Sequence, residues 1–596
     1  MLKRPPLSVA IFFALLVAFF FVVPVFGGAY AVKFCTRLLI LAAFVLSLDL
    51  LIGVTGLVSF GHAAFFGVGA YAVYFVSPDD EAANVFVALS AGAALAGLAA
   101  LVVGALAMLT RGFYFIMVTL AAGQMIFSLF HDTDIAKGSD GAYVNVKPML
   151  VIGGASLVDF SNRSQFYYVC LASLAILYFT LYRLVRSPFG RALQGMRVNE
   201  TRMAAMGFDS YRFKLAAFVV SGAVAGYAGA LFACLDGFVT PELMSWQQSG
   251  LAIMMVVLGG GGTLYGPILG ALAYASLEEL LKTESLVGPF LANHWRLGTG
   301  ATLILAVLLM PEGLAGFLRR AARKRSETAP ALEAPAKAAR PARRAKALST
   351  QALARSFGGV VAVGGVTIRF EPNLVHAIIG PNGAGKTTFI NLLSGATPPS
   401  AGRVKIDDLD VTGWPAHRIA RHGLGRSFQR TNIFGSFTVT ENCALAAQAR
   451  APSPLRLIDA IYRRRDEAAM AHALAVVGLA DRAGAIASQL SNGEQRQLEI
   501  AMLLASGADL IILDEPLAGM GLEETQRVVA LLRNLATDHT IILVEHDMDA
   551  VFAAADTLTV LVQGRLLAHG APAEIRSNEA VLEAYLGGPA KPGAAA

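Results

Sequence analysis

Leu374-Val375-His376-Ala377-Ile378-Ile379-Gly380-Pro381-Asn382-Gly383-Ala384-Gly385-Lys386-Thr387-Thr388 fixes the fold class of the second half of this 596-residue chain. Its first six residues read as a buried strand and the apolar run after Thr388 as a helix. Gly380-x4-Gly385-Lys386-Thr387 therefore sits between strand and helix, the context a phosphate-binding loop requires. Glycines let successive amides turn toward phosphate oxygens, Lys386 neutralises the outer phosphates, Thr387 supplies a magnesium ligand, and the helix N-terminus adds a favourable dipole.

Leu510-Ile511-Ile512-Leu513 is a second apolar strand, ending at Asp514-Glu515. That order puts Asp514 at the carboxyl end of the strand, facing the magnesium, and Glu515 where a base polarises the attacking water. Between the two strands stands Leu490-Ser491-Asn492-Gly493-Glu494-Gln495, and downstream Ile541-Ile542-Leu543 runs into Val544-Glu545-His546-Asp547. Over 352–587 this set resembles the ABC transporter ATPases, whose signature is usually Leu-Ser-Gly-Gly-Gln. The resemblance implies an α/β P-loop fold with a helical subdomain, ATP and Mg2+ as cofactors, and nucleotide contacts along Gly380, Pro381, Asn382, Gly383, Ala384, Gly385, Lys386, Thr387 and Thr388. It also implies that Ser491, Gly493 and Glu494 meet the γ-phosphate held by a partner's loop, and that Thr387, Gln429 (in Ser427-Phe428-Gln429) and Asp514 reach the Mg2+. By the same resemblance Glu515, His546 and Gln429 form the catalytic set, with His546 as the switch histidine. Phe357 matches the aromatic that stacks on adenine, with a place in the core as its alternative. Asn492 and Glu494 depart from the usual Gly and Gln, and Gly521 stands where many of these ATPases have an aspartate.

The first half is different in kind. Hydrophobic residues make up 55% of the chain and charged ones only 15%. Charges are sparse in the first third, while Arg and Lys crowd 319–344. The net charge of +6 therefore reflects cations flanking membrane spans, which mark the cytoplasmic side, and not nucleic-acid binding. Apolar stretches fall at 7–26, 38–53, 57–76, 85–109, 113–130, 166–184, 213–235, 251–259, 264–281 and 297–317. The first, after Lys3 and Arg4, is near the ~20 residues needed to span and longer than a signal-peptide core, so it reads as a retained helix. The eighth and ninth, split by Gly259-Gly260-Gly261-Gly262, read as two spans or as a broken re-entrant segment. The expectation is an all-α polytopic domain of about ten spans with both ends cytoplasmic, which leaves Lys33 and Arg37 outside.

Cys35, Cys170, Cys234 and Cys443 lack any metal or disulfide spacing. Ionisable or polar groups inside apolar spans are more telling. Asp49, Ser59 and His62 are the candidate pathway residues, with bonding to a neighbouring helix as the alternative. The loop from Ser187 to Gly207 has apolar and small residues at helical spacing between charges and ends on a helix-stopping glycine, so it predicts a short amphipathic helix lying across a partner. The expected domains are 1–318 in the membrane, a basic Ala/Pro-rich tether at 319–348, and an ATPase at 349–596.

The sequence Gly53-Val54-Thr55-Gly56-Leu57-Val58-Ser59-Phe60-Gly61-His62-Ala63-Ala64-Phe65-Phe66-Gly67-Val68-Gly69-Ala70-Tyr71 resembles the permease of branched-chain amino acid importers. So do residues 191–207 and Gly259-Gly260-Gly261-Gly262-Thr263-Leu264-Tyr265-Gly266-Pro267-Ile268-Leu269-Gly270-Ala271. Phe357-Gly358-Gly359-Val360-Val361-Ala362-Val363, Val544-Glu545-His546-Asp547-Met548 and Ala584-Tyr585-Leu586-Gly587 resemble the ATP-binding subunit of that system. The resemblance implies a fused permease and ATPase in the bacterial inner membrane, with the ATPase cytoplasmic. It implies a coupling loop carrying Arg191, Arg197, Asn199, Glu200 and Gly207, and a periplasmic solute-binding protein. One cassette cannot complete a nucleotide site, so a second permease and a second ATPase subunit are needed, either a copy of this chain or, as family precedent favours, a different pair. Branched-chain amino acids are the family's usual solute; urea, short amides and aromatic carboxylates are handled by similar permeases. An exporter or lipid translocase also fuses the two parts, and about ten short spans argue against it.

Overall fold

The computed structural model describes residues 18–78, 80–152, 155–322, 344–455, 463–518 and 520–586. The chain forms two units, Met1–Arg197 with Tyr211–Glu327, and Val198–Ser210 with Thr328–Ala596. The expected first helix at 7–26 and the tether at 319–348 lie largely outside the described residues.

In the first unit, long apolar runs become helices because a helix satisfies its own backbone where no water is present. Among the described residues six are long and apolar enough to cross a membrane: Ala29–Thr55, Val85–Ala107, Phe113–His131, Arg163–Arg186, Ser210–Asp236 and Trp295–Leu318. The expected count of ten is not confirmed, and local chemistry explains why. The stretch at 57–76 shortens to the 15-residue helix His62–Val76, because Gly56 takes a left-handed conformation (φ 77°) and ends the preceding turn. The glycine run separates Trp246–Gly259, 14 residues, from Tyr265–Lys282, whose last turns carry Glu278, Glu279 and Lys282. Leu98, Val102, Leu106, Leu308 and Leu309 are exposed, an apolar exterior suited to lipid. Small residues set the helix spacing inside. A side chain at Gly69 would run into the backbone of Gly226, and one at Gly229 into the carbonyl of Phe66. Lys33, expected outside, is paired with Asp236 at 3.2 Å.

In the second unit a six-stranded sheet runs in the order Leu424–Arg426, Leu510–Asp514, Thr540–Val544, Val375–Ile379, Thr557–Val562, Arg565–Gly570. The first five strands are parallel and the last closes antiparallel. Val375–Ile379, Leu510–Asp514 and Thr540–Val544 are buried along their whole length, as expected of parallel strands covered on both faces. A four-stranded antiparallel sheet of Val360–Phe370, Leu348–Phe357, Ala401–Ile406 and Leu409–Asp410 lies beside it. Leu348, Phe370, Phe389, Ile512 and Ile542 belong to one continuous core. Ligands in such sheets bind beyond the carboxyl ends of the strands, and those ends carry Gly380, Ser427, Glu515 and Glu545.

Candidate functional site

The loop after Ile379 enters the helix Lys386–Leu393 through Gly385 (φ 91°), and Gly383 (φ 80°) has nothing within 4 Å of where a side chain would stand. Lys386 Nζ folds over the loop and donates to the carbonyls of Gly380 (2.5 Å) and Pro381 (3.1 Å). Burial pulls its ammonium below the ordinary value, against Glu515 and Asp514, which hold it up. A cation over an open glycine cradle at a helix start fits a polyphosphate. Thr387 is exposed at the start of that helix.

Asp514 ends its strand at 3% exposure and faces the Arg426 guanidinium at 3.8 Å. Its amide donates to Ser427 Oγ at 3.0 Å. Burial pushes its carboxyl above the usual range, with Arg426 opposing. A threonine hydroxyl and one carboxylate are the oxygen donors that suit Mg2+, which keeps water and phosphate as its other ligands. Glu515 adopts φ +48°, uncommon for a non-glycine residue, and its amide donates a hydrogen bond to the Val544 carbonyl at 2.8 Å. Gln429 Nε2 donates to Glu515 Oε2 at 3.1 Å. The structure thus brings Gln429 and Glu515 together. His546 is exposed and faces the buried Glu545, Nδ1 to Oε2 3.7 Å; Glu545 Oε1 accepts from the Leu517 amide at 2.7 Å. Phe357 is 48% exposed, outside the core, with Arg355 over its ring at 4.8 Å.

Ser491 caps the helix Asn492–Ser506 in a reciprocal box with Glu494: the Glu494 amide donates to Ser491 Oγ (3.2 Å) and the Ser491 amide to Glu494 Oε2 (2.9 Å). Glu494 also pairs with Arg482 at 3.1 Å. The departure from the usual glutamine therefore has a local role. A side chain on Gly493 would meet the Glu524 carboxylate.

The predicted single amphipathic helix is two, Pro188–Val198 and Glu200–Met206, divided where Asn199 caps the second through the Arg202 amide at 2.9 Å. Gly207 (φ 110°) stops the second helix, as its sequence position predicts. The second helix belongs to the ATPase unit. Asn199 hydrogen-bonds Asn432, Arg421 donates to the Gly207 carbonyl at 2.8 Å, and Arg202 is fully buried against Glu499 at 3.3 Å. Arg191, Arg197 and Glu200 stay on the two helices, and Arg197 donates to the Gly53 carbonyl. Arg202, Arg496, Glu499 and Glu545 were not singled out from sequence. The available signal was the pair Arg496/Glu499, three apart on a helix and flanked by Leu498 and Ile500.

In the membrane unit Asp49 and His62 belong to separate hydrogen-bond sets. The Asp49 carboxylate accepts the amides of Gly262 (2.6 Å) and Leu264 (3.2 Å). His62 Nε2 lies 2.8 Å from Ser47 Oγ, and the same hydroxyl lies 2.6 Å from the Phe44 carbonyl. Ser59 Oγ is buried without a partner among the described residues.

A cassette with this phosphate loop, acid pair and signature helix, on a chain with six candidate spans among its described residues, is a transport-coupled ATPase of the ATP-binding-cassette class. The family described as branched-chain amino acid transport system permease component matches residues 30–308, ABC transporter matches 363–518, and branched-chain amino acid ATP-binding cassette transporter matches 565–591. The high-affinity branched-chain amino acid transport ATP-binding protein BraF of Pseudomonas aeruginosa is 40% identical over 249 residues, 40% of this chain and 97% of that protein. LivG of Escherichia coli K12, of the same description, is 39% identical over 248 residues, 40% and 97%. Among solved structures, a nucleotide-free ATP-binding cassette from an ABC transporter is 27% identical, covering 40% of this chain and 98% of that one, with a TM-score of 0.37. The chain belongs to the branched-chain amino acid ABC transporter family, as a permease component fused to an ATP-binding component. It binds ATP and spans a membrane with its ATPase on the cytoplasmic side; components of this family work, in general, with partner subunits and a substrate-binding protein.

Proposed function

We propose that this chain is one permease-plus-ATPase half of an importer for branched-chain or related amino acids in a bacterial inner membrane. The single observation behind the reading is that two independent stretches of one chain match the permease and the ATP-binding component of the same system. In this reading Lys386 and the amides of 380–388 bind the polyphosphate of ATP, and Thr387, Asp514 and Gln429 hold Mg2+. The ion would neutralise charge on the transferred phosphoryl group. Glu515 orients and deprotonates water, with Gln429 fixing its carboxylate and His546 acting as the switch histidine. Ser491 and Gly493 complete the site of a partner cassette, and Phe357 stacks on the adenine. The partner is a second permease with a second ATPase, and a separate periplasmic protein delivers the solute.

The test is uptake of radiolabelled leucine into proteoliposomes holding this chain, its partner subunits and the binding protein encoded with them. Uptake that needs ATP inside and binding protein outside supports the proposal. Extrusion of leucine, or uptake indifferent to the binding protein, contradicts it.

A further inference from the structure

The cation of Arg202 is completely buried and is placed against the loop that carries Gln429. Its Nη1 donates to the Arg426 carbonyl at 3.0 Å and to Glu499 Oε1 at 3.3 Å. Glu499, 1% exposed, uses the same oxygen to accept the Phe428 amide at 3.3 Å and its other oxygen to accept Arg496 Nη1 at 3.0 Å. Arg496 then donates to the carbonyls of Phe428 (2.9 Å) and Gln429 (2.5 Å). Every backbone group of the loop that these three side chains touch lies between Arg426 and Gln429, immediately before the side chain that grips Glu515.

A buried ion pair is a poor device for stability alone, since desolvation offsets most of the attraction and apolar residues fill such space as well or better. Arg202 Nε has no partner among the described residues, a further cost that a methionine would avoid. What a methionine does not supply is direction. With two cations around one carboxylate, removing Arg202 leaves Glu499 to Arg496 alone and frees the Arg426 carbonyl. The loop then loses one of the two supports that fix its height above the strand Leu424–Arg426. Arg202 lies in the short segment covalently set between the helices Pro188–Val198 and Ser210–Asp236, so it is the charged group best placed to carry displacement of that segment to the loop.

We infer that Arg202, acting through Glu499 and Arg496, is a positioning residue that sets the Gln429 loop for hydrolysis and makes hydrolysis answer to the segment 198–210. The inference rests on the proposed importer function only for its solute-stimulated arm.

The experiment uses the full chain assembled with its partner subunits in liposomes, and compares wild type with R202K, R202M, E499Q and the double variant R202M/E499Q. ATP hydrolysis is read with and without binding protein and leucine, and affinity is read with a fluorescent ATP analogue. R202M lowers kcat at saturating ATP by about tenfold and abolishes solute stimulation, while KM for ATP and analogue affinity stay within about twofold. R202K, which keeps the charge without the planar fork, recovers part of kcat. The double variant loses less than the product of the single losses, because both act on one loop. If R202M loses ATP affinity and thermal stability in parallel with kcat, or retains solute-stimulated hydrolysis, the inference is overturned; R202K keeps the test decisive if R202M does not fold. Failure of wild-type leucine uptake strikes the proposed function, whereas the kcat-against-KM split in ATP hydrolysis judges Arg202 by itself.

Discussion

Gln429 and Glu515 are 86 residues apart in sequence and joined by a hydrogen bond of 3.1 Å, which ties the ends of two neighbouring parallel strands. The bond fixes one carboxylate oxygen of Glu515 and leaves the other to accept a proton. Its positive φ is the kind of backbone strain found where a side chain must be aimed. Glu515→Gln keeps the shape and removes the base. We expect kcat for ATP hydrolysis to fall by roughly 10²–10⁴, with affinity for ATP retained within about threefold. Hydrolysis at the wild-type rate in this variant would show that Glu515 is not the base.

Asp514 supplies a pH-dependent test. Burial raises its carboxyl above the usual range, so the folded cassette holds that proton more tightly than the unfolded chain does. The resulting contribution favours folding below the unfolded-state value and is lost as pH rises through the folded-state value. Near neutral pH, Asp514→Asn should therefore raise the melting temperature of the nucleotide-free protein. That gain should shrink as pH falls and Asp514 itself protonates. Arg426 remains bonded to Asn391 Oδ1 (2.6 Å) and Ser394 Oγ (2.9 Å), so it is not stranded by the change. With Mg2+ and ATP present the order should invert, because the variant lacks a cation ligand. A lower melting point for the variant at every pH contradicts the argument.

Ser491 combines two roles that one substitution separates. Ser491→Ala removes the cap of the helix Asn492–Ser506 and should lower stability by about 1 kcal/mol. Ser491→Asp preserves a capping oxygen and restores that stability. Both should reduce hydrolysis by the assembled transporter by about tenfold or more, since neither presents a neutral hydroxyl to the partner's phosphate. Equal hydrolysis by Ser491→Asp and wild type, measured beside thermal unfolding, would remove the partner-site role and leave the cap.

The cassette was legible because its chemistry is local. Strand, glycine loop and helix are contiguous from Leu374 onward, and Asp514-Glu515 follows directly on an apolar run, so spacing alone places them at strand ends. The pairing of Gln429 with Glu515 was reachable through resemblance. Arg202 was not, because an arginine between Thr201 and Met203 looks like the polar face of an amphipathic helix until the surface that buries it is known. In the membrane unit, the breaks near Gly56 and at Gly259 to Gly262 are legible from their glycines, but what holds the second one is not, because the carboxylate that accepts its amide lies more than two hundred residues away at Asp49.

That long-range cap predicts how Asp49 should behave. Its carboxylate is fully buried and accepts the two amides at the turn between Trp246–Gly259 and Tyr265–Lys282, where no intrahelical acceptor is available. A side chain on Gly53 would collide with both the carboxylate and the Gly262 backbone, so the fit tolerates no substitute at that position. Asp49→Ala leaves the buried Leu264 amide without an acceptor. Each unsatisfied amide costs about 1–3 kcal/mol, and apolar surroundings offer no water in compensation. Asp49→Asn retains one acceptor oxygen for two donors and should fall between wild type and alanine. Thermal unfolding of the purified chain in detergent ranks the three proteins. If Asp49 instead lines the solute path, Asp49→Ala will melt with wild type and fail only in leucine uptake, and the cap described here is then not what the carboxylate is for.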